Sequence, residues 1–219
     1  MGNLTADTIA WGLTSYVVLL FSLSVHESAH GWVAHLMGDD TAIMEGRVSL
    51  NPLVHIDPLG TFLIPMLQIF WNGIPLLAWA KPTPVGAHNF RRLARGHILV
   101  AGAGPVSNLI LAILFTIALF FARRADLGSE LYDPVRAIIL VGIQMNVGLA
   151  IFNLVPLPPL DGSWVASWGL PRHIANHYDR IMEPWGSWIL LILFVTNILS
   201  WVLHPLRVFL IQVLYSLAI

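Results

Sequence analysis

The sequence predicts an all-α polytopic membrane protein, a bundle of apolar helices with a short β or re-entrant element after the first helix. Three observations predict it. Hydrophobic residues fill 57% of the 219 positions and charged residues only 11%, with a mean hydropathy of +0.74 and nine tryptophans, a composition outside the range of water-soluble domains. Apolar segments of helix length recur at about 8–37, 61–79, 97–121, 134–155, 186–203 and 206–219. The polar-tolerant stretches between them, 38–60, 80–96 and 156–184, are each shorter than a small folded domain. The whole of 1–219 therefore reads as one membrane-embedded domain, with a core at about 8–165 and C-terminal helices at about 186–219.

Taken in order, the segments are not equivalent. No Lys or Arg precedes the first, and a cluster of ionisable residues lies inside it, so it reads as a retained first helix rather than a cleaved signal. "GRVSLN" (46–51) alternates like a short strand. The second segment contains Pro65, an Asn72-Gly73 turn signal and Pro75, which predict that it is interrupted and dips in and returns. The first, third and fourth segments are long enough to span ~30 Å of hydrocarbon at ~1.5 Å per residue. The fifth is just long enough. The last, 14 residues after Pro205, is expected to lie in the interface or cross thinly.

Charge and cysteine content narrow the chemistry. A formal net charge of −1 with scattered Lys and Arg offers no basic stripe for nucleic acid. With no cysteine in the chain, disulfides and thiolate metal sites are excluded, and any metal must be held by His, Asp or Glu.

The stretch "SVHESAHGWVAHLMG" (24–38) places two histidines and a glutamate directly after the apolar run "SYVVLLFSLSV". An ionisable cluster at that depth is expensive and by default functional, and an unpaired buried Glu there costs several kcal/mol. His26 and His30 are four apart, so on a helix they project from one face, one turn from each other, the spacing with which two imidazoles grip one zinc. Glu27 projects to the side of that pair, placed to take a proton from a metal-held water without ligating. The competing reading is a pair of interfacial histidines with a salt-bridged Glu.

Catalytic zinc takes three protein ligands and an open position. A third His six residues after the second, as in metzincins, would fall at Leu36; His35 misses it by one, which excludes that class. The strongest distant candidate is Asp161 in "NLVPLPPLDG", where prolines break an apolar helix and Gly162 leaves room; the alternative is an interfacial Asp closing a turn. Ala101, Gly102, Ala103 and Gly104 form a small face for close helix approach, and Pro105 loosens the ladder where Asn108 can turn inward. Asn108 has two readings, site residue or interhelical hydrogen-bond glue. Asn153, eight residues before Asp161, is a polar group deep enough to need a partner. His173 and His177 repeat the spacing of four without an adjacent acid and read as surface histidines in a polar loop, while His55 and Asp57 read as part of a turn.

Together, HESAH (26–30), "AGAGPVSN" (101–108) and "FNLVPLPPLDG" (152–162) resemble the site-2 protease family of intramembrane zinc metalloproteases, over roughly residues 15–165. "GRVSLNPLVHIDPLGT" (46–61) and "AWAKPTPV" (78–85) resemble its compact bacterial and archaeal branch, which lacks an attached PDZ domain. The resemblance implies one Zn²⁺ per chain, held by His26, His30 and Asp161, with Glu27 as general base. It implies Asn153 beside the metal assisting the scissile carbonyl, and Asn108 as the polar end of the middle-helix motif. It also implies transmembrane protein substrates in a lipid bilayer, cut in or near their membrane spans, in the cell membrane of a prokaryote. Because a membrane helix hides its carbonyls in its own hydrogen bonds, substrates are expected to unwind locally, with GRVSLN as an edge that clamps the opened strand.

Other classes fit less of the chain. A membrane metal carrier needs acidic or His residues along successive helices, and a di-iron oxygenase needs several His boxes. A different membrane HExxH protease, taking a downstream Glu as third ligand, has only Glu130 and Glu183 to offer. If the second segment does not cross, Arg47, Lys81, Arg91, Arg92, Arg95, Arg172 and Arg180 share the side of the active-site mouth against Arg123, Arg124, Arg136 and Arg207, which predicts a cytoplasmic mouth by the positive-inside bias.

Overall fold

Apolar residues that recur on every face over 20 or more positions can bury their backbone polar groups only in helices, and helix is what the chain forms. A computed structural model describes residues 5–70, 78–125 and 128–219, and every regular element among them is helical. The long helix α1 (Ala6–Met37) starts where the Thr5 hydroxyl accepts the Thr8 N–H at 3.2 Å and stops at Gly38, which adopts φ 109. After the single turn α2 (Thr41–Met44), the chain makes a 3₁₀ turn (Pro52–His55), then a π turn (Pro58–Leu63) that passes into α3 (Ile64–Phe70). Beyond a short turn at Ala87–Asn89 follow α4 (Leu93–Ala122), α5 (Gly128–Asn153), α6 (Asp161–Gly169), α7 (Arg172–Val195) and α8 (Ile198–Leu217). Four helices among the described residues are long and apolar enough to cross a membrane: Thr8–Met37, Leu93–Ala122, Gly128–Asn153 and Ile198–Leu217. The protein is multi-pass.

α4 is the central helix. Its Ala112 and Leu119 pack with Ile143, Val147 and Ile151 of α5, and Leu203, Leu210 and Leu214 of α8 close over that core. Contacts also fix direction. His30 of α1 meets Val100 of α4, and four residues earlier His26 meets Asn108, so α4 runs against α1. Asn108 meets Asn146, and Phe115 packs on Gly142, so α5 runs against α4 and parallel to α1. The ends of α1 and α4 are tied: the Arg91 N–H donates to the Met37 carbonyl at 3.0 Å, and Asp39 accepts from the Gly86 N–H at 2.7 Å and the Asn89 side chain at 2.8 Å. The connection 38–92 thus begins and ends at one end of the helix pair.

Several expectations need correction. No strand forms at 46–51; the Ser49 N–H and carbonyl are both engaged by the Ser28 hydroxyl of α1, so this segment's polar groups bond to a helix side chain instead of a strand partner. Pro65 does not interrupt the second segment, because the wide π turn takes up the change of pitch just before it. The Asn72-Gly73 signal and Pro75 lie outside the described residues. The described residues therefore support neither the strand nor the re-entrant dip. Toward the C-terminus, the segment 186–203 is two pieces: the chain breaks at Thr196 and Asn197, and Asn197 takes a left-handed φ of 58, which Asn tolerates better than most side chains. Conversely, Pro205 does not break the last segment but sits inside the 20-residue α8. His173 and His177 are on α7 rather than in a loop.

Candidate metal centre and active site

His26 and His30 come off one face of α1, both buried, with ring centroids 4.7 Å apart and planes at 83°. Asp161 arrives from beyond the C-terminal end of α5, the helix parallel to α1. α5 stops at Asn153, the segment through Pro156, Pro158 and Pro159 turns the chain, and Asp161 is the first residue of α6, where the helix dipole favours a carboxylate. Its Oδ2 lies 3.2 Å from His26 Nε2 and its Oδ1 3.4 Å from His30 Nε2. Two glycines make the approach sterically feasible. A Cβ on Gly104 of α4 would stand 2.4–2.5 Å from the His26 and His30 rings, and a Cβ on Gly162 would stand 2.3 Å from the Leu154 carbonyl oxygen. Of the small-residue stretch, Gly104 is the critical member; a Cβ on Gly102 would meet nothing within 4 Å.

The donor set is that of a cation site. His30 Nδ1 donates to the Val100 carbonyl at 2.7 Å and His26 Nδ1 faces Asn108 Oδ1 at 2.6 Å. With hydrogens on the Nδ1 atoms, both Nε2 lone pairs point at each other across 3.1 Å and at a carboxylate, and Asp161 Oδ2 is buried with no hydrogen-bond partner. Lone pairs converging like this repel unless a cation lies among them. One ligand atom from each of His26, His30 and Asp161 falls within 4.8 Å of the others, and two imidazoles plus one carboxylate, each imidazole anchored through its second nitrogen, is a zinc-type set. Glu130 and Glu183 are exposed and stand outside this group.

Glu27 is half-buried beside the cluster. Its Oε2 accepts the backbone N–H of Thr83 at 2.8 Å, and the Thr83 hydroxyl donates to the Glu27 carbonyl at 2.9 Å. The extended segment that brings Thr83 here is tied down by Arg47, which is buried and donates to the carbonyls of Val54, Lys81 and Pro82. Arg47 is therefore a structural cation rather than a free interfacial one.

Asn108 is fully buried behind His26, where its Oδ1 meets the ring Nδ1 at 2.6 Å rather than facing an open space. The Asn153 amide donates to the Leu149 carbonyl at 3.0 Å, one turn back, and no hydrogen bond links it to His26, Glu27, His30 or Asp161 among the described residues. His35 pairs with Asp40 at the exposed end of α1. His55 is buried against the Ser49 carbonyl and Asp57 caps the π turn through Leu59 and Gly60. Sequence reasoning missed Thr83 and Asn146. Asn146 had a readable signal, an Asn seven residues before Asn153 in the same apolar helix.

Helices of membrane length around a buried His-His-carboxylate group that could hold a metal ion, with a glutamate beside it, fit the class of membrane-embedded metalloenzymes. The chain is 38% identical over 192 residues, 87% of its length, to a Bacillus subtilis (strain 168) protein named "Putative zinc metalloprotease YwhC", of which it covers 84%. It is 30% identical over 188 residues to the Mycolicibacterium smegmatis protein named "Putative zinc metalloprotease Rip2", covering 83% of this chain and 66% of that one. A 69-residue stretch, 32% of each chain, is 39% identical to "Putative zinc metalloprotease MJ0611" of Methanocaldococcus jannaschii. No family model and no solved structure matches. The chain belongs to the zinc metalloprotease family of YwhC, consistent with the compact site-2 protease-like branch.

Proposed function

We propose that this metalloprotease cuts peptide bonds in or near the transmembrane segments of other membrane proteins, with His26, His30 and Asp161 holding one zinc and Glu27 as general base. The observation that carries the reading is the convergence of two Nε2 lone pairs and a partnerless carboxylate oxygen on one point inside a bundle of membrane-length helices. A zinc bound there supplies Lewis-acid polarisation of the scissile carbonyl and acidifies a water. The Thr83 N–H holds Oε2 of Glu27, which fixes the carboxylate and leaves its other oxygen to take the proton of the attacking water and hand it to the leaving amine nitrogen. Asn153 can serve the scissile carbonyl once its amide leaves the Leu149 carbonyl. The substrate helix must open locally to expose a carbonyl. One catalytic domain over 1–219, in a prokaryotic cell membrane with its mouth toward the cytoplasm, completes the proposal.

The test is incubation of the purified protein with single-span membrane proteins, with and without a chelator. Cleavage that chelation stops and zinc restores is expected. Glu27→Gln retains its zinc and slows cleavage by about 10²–10⁴-fold, the range of a lost general base. Full activity in that variant would overturn the mechanism.

A further inference from the structure

We propose that Asn146 is a positioning residue of this metal centre: through Asn108 it dictates which ring nitrogen of His26 is left free for the metal. The inference rests on reading His26, His30 and Asp161 as zinc ligands. Asn146 lies within α5, is fully buried, and has no hydrogen bond to any of those three side chains.

Asn146 Nδ2 lies 2.9 Å from the Gly142 carbonyl oxygen, which only accepts, so this end of the amide is the NH₂ group; its second hydrogen goes to Ser22 Oγ at 2.9 Å. Asn146 Oδ1 is then the acceptor for Asn108 Nδ2 at 2.9 Å. That leaves Asn108 Oδ1 facing His26 Nδ1 at 2.6 Å, and an amide oxygen only accepts, so the imidazole hydrogen sits on Nδ1. His26 Nε2 keeps its lone pair for the point shared with His30 and Asp161. The polarity of the ligand is thus set three links away by a backbone carbonyl that cannot reverse. His30 needs no relay, because its Nδ1 meets the Val100 carbonyl directly.

Without Asn146, the Asn108 NH₂ group retains, among the described residues, only the Ser22 carbonyl at 3.4 Å, at the long limit of a hydrogen bond. Asn108 could then turn over, present NH₂ to His26 Nδ1 and drive the ring hydrogen to Nε2, where it blocks ligation. Asn108 and Asn146 are both fully buried between the helices, which shields the vacated position from bulk solvent.

Zinc affinity of the full chain in detergent, measured by competition with a chelating indicator, tests this. Asn146→Leu and Asn146→Thr are the variants, with folding checked by circular dichroism; the Thr hydroxyl can satisfy Gly142 within the helix but is too short for Asn108, so it serves if Leu is not tolerated. Each is expected to weaken zinc about tenfold, in the range for outer-shell partners of a metal ligand. Asn108→Leu is expected to do the same, and the Asn108→Leu/Asn146→Leu pair to be no weaker than Asn108→Leu alone, because Asn146 acts only through Asn108. Wild-type affinity in a folded Asn146 variant, or a loss that adds to that of Asn108→Leu, would overturn the inference. A wild-type chain that binds no zinc would instead overturn the metal-centre reading, and this inference with it.

Discussion

Gly104 is the residue of α4 that stands against the His26 and His30 rings. α4 lays its bare Cα against the two imidazoles, and any Cβ there would lie at less than van der Waals distance from both rings. Gly104→Ala is expected to cost about 1–3 kcal/mol of overpacking and, more tellingly, to lower zinc content, because the rings must move to make room. Gly102→Ala, two residues away and facing open space, should leave zinc content unchanged. Elemental analysis of the two purified variants checks this; equal zinc in both would show that the approach of α4 does not shape the site. The residues legible in the sequence were those whose chemistry is local or unusual for their setting: the HESAH spacing and a carboxylate after a proline break. Thr83 was not legible, since its role is played by a backbone N–H that only the tertiary fold brings to Glu27. Asn108 was legible as inward-facing and not as a partner for His26, because a polar side chain in an apolar helix looks the same whether it joins helices or orients a ligand.

Among the elements, the connection between α1 and α4 depends on Asp39. This side chain is buried beyond the end of α1 and accepts from the Thr41 hydroxyl, the Asn89 amide and the backbone N–H groups of Gly86 and Thr41. Burial alone would raise its pKa, but these donors outweigh burial and hold the carboxyl below its ordinary range. A carboxylate whose folded pKa is depressed adds stability above its unfolded value of about 3.9 and loses it as pH falls through the lower folded value. The apparent melting temperature in detergent is therefore expected to drop below about pH 4, with a smaller drop for Asp39→Ala, which starts lower by the ~1.5–3 kcal/mol of hydrogen bonds to a charged acceptor. An identical acid response in wild type and variant would remove Asp39 from this role. Helix existence was legible from apolar length, whereas helix ends were not. The break at Asn197 needs a single left-handed residue, and the unbroken helix through Pro205 needs only that its neighbours accept a missing N–H; neither leaves a mark in hydropathy.

For the whole molecule, the ends of the 38–92 connection sit together, so an even number of crossings is expected between α1 and α4. Leu50→Cys and His88→Cys in this cysteine-free chain should be labelled by a membrane-impermeant reagent from the same face. Labelling from opposite faces would require the α1 and α4 ends to part in the membrane. The parallel course of α1 and α5, read from the Ser22–Asn146 and His26–Asn108–Asn146 contacts, is what lets ligands more than 130 positions apart in sequence meet at one depth. That meeting is the central claim, and zinc content per chain tests it most directly. Wild type, Glu130→Ala and Glu183→Ala should each hold about one zinc, as a site with three protein ligands does, while Asp161→Ala should bind it more weakly than the ~10–100-fold loss caused by removing an outer-shell partner. Zinc retained in Asp161→Ala, and lost on replacing Glu130 or Glu183, would contradict the account.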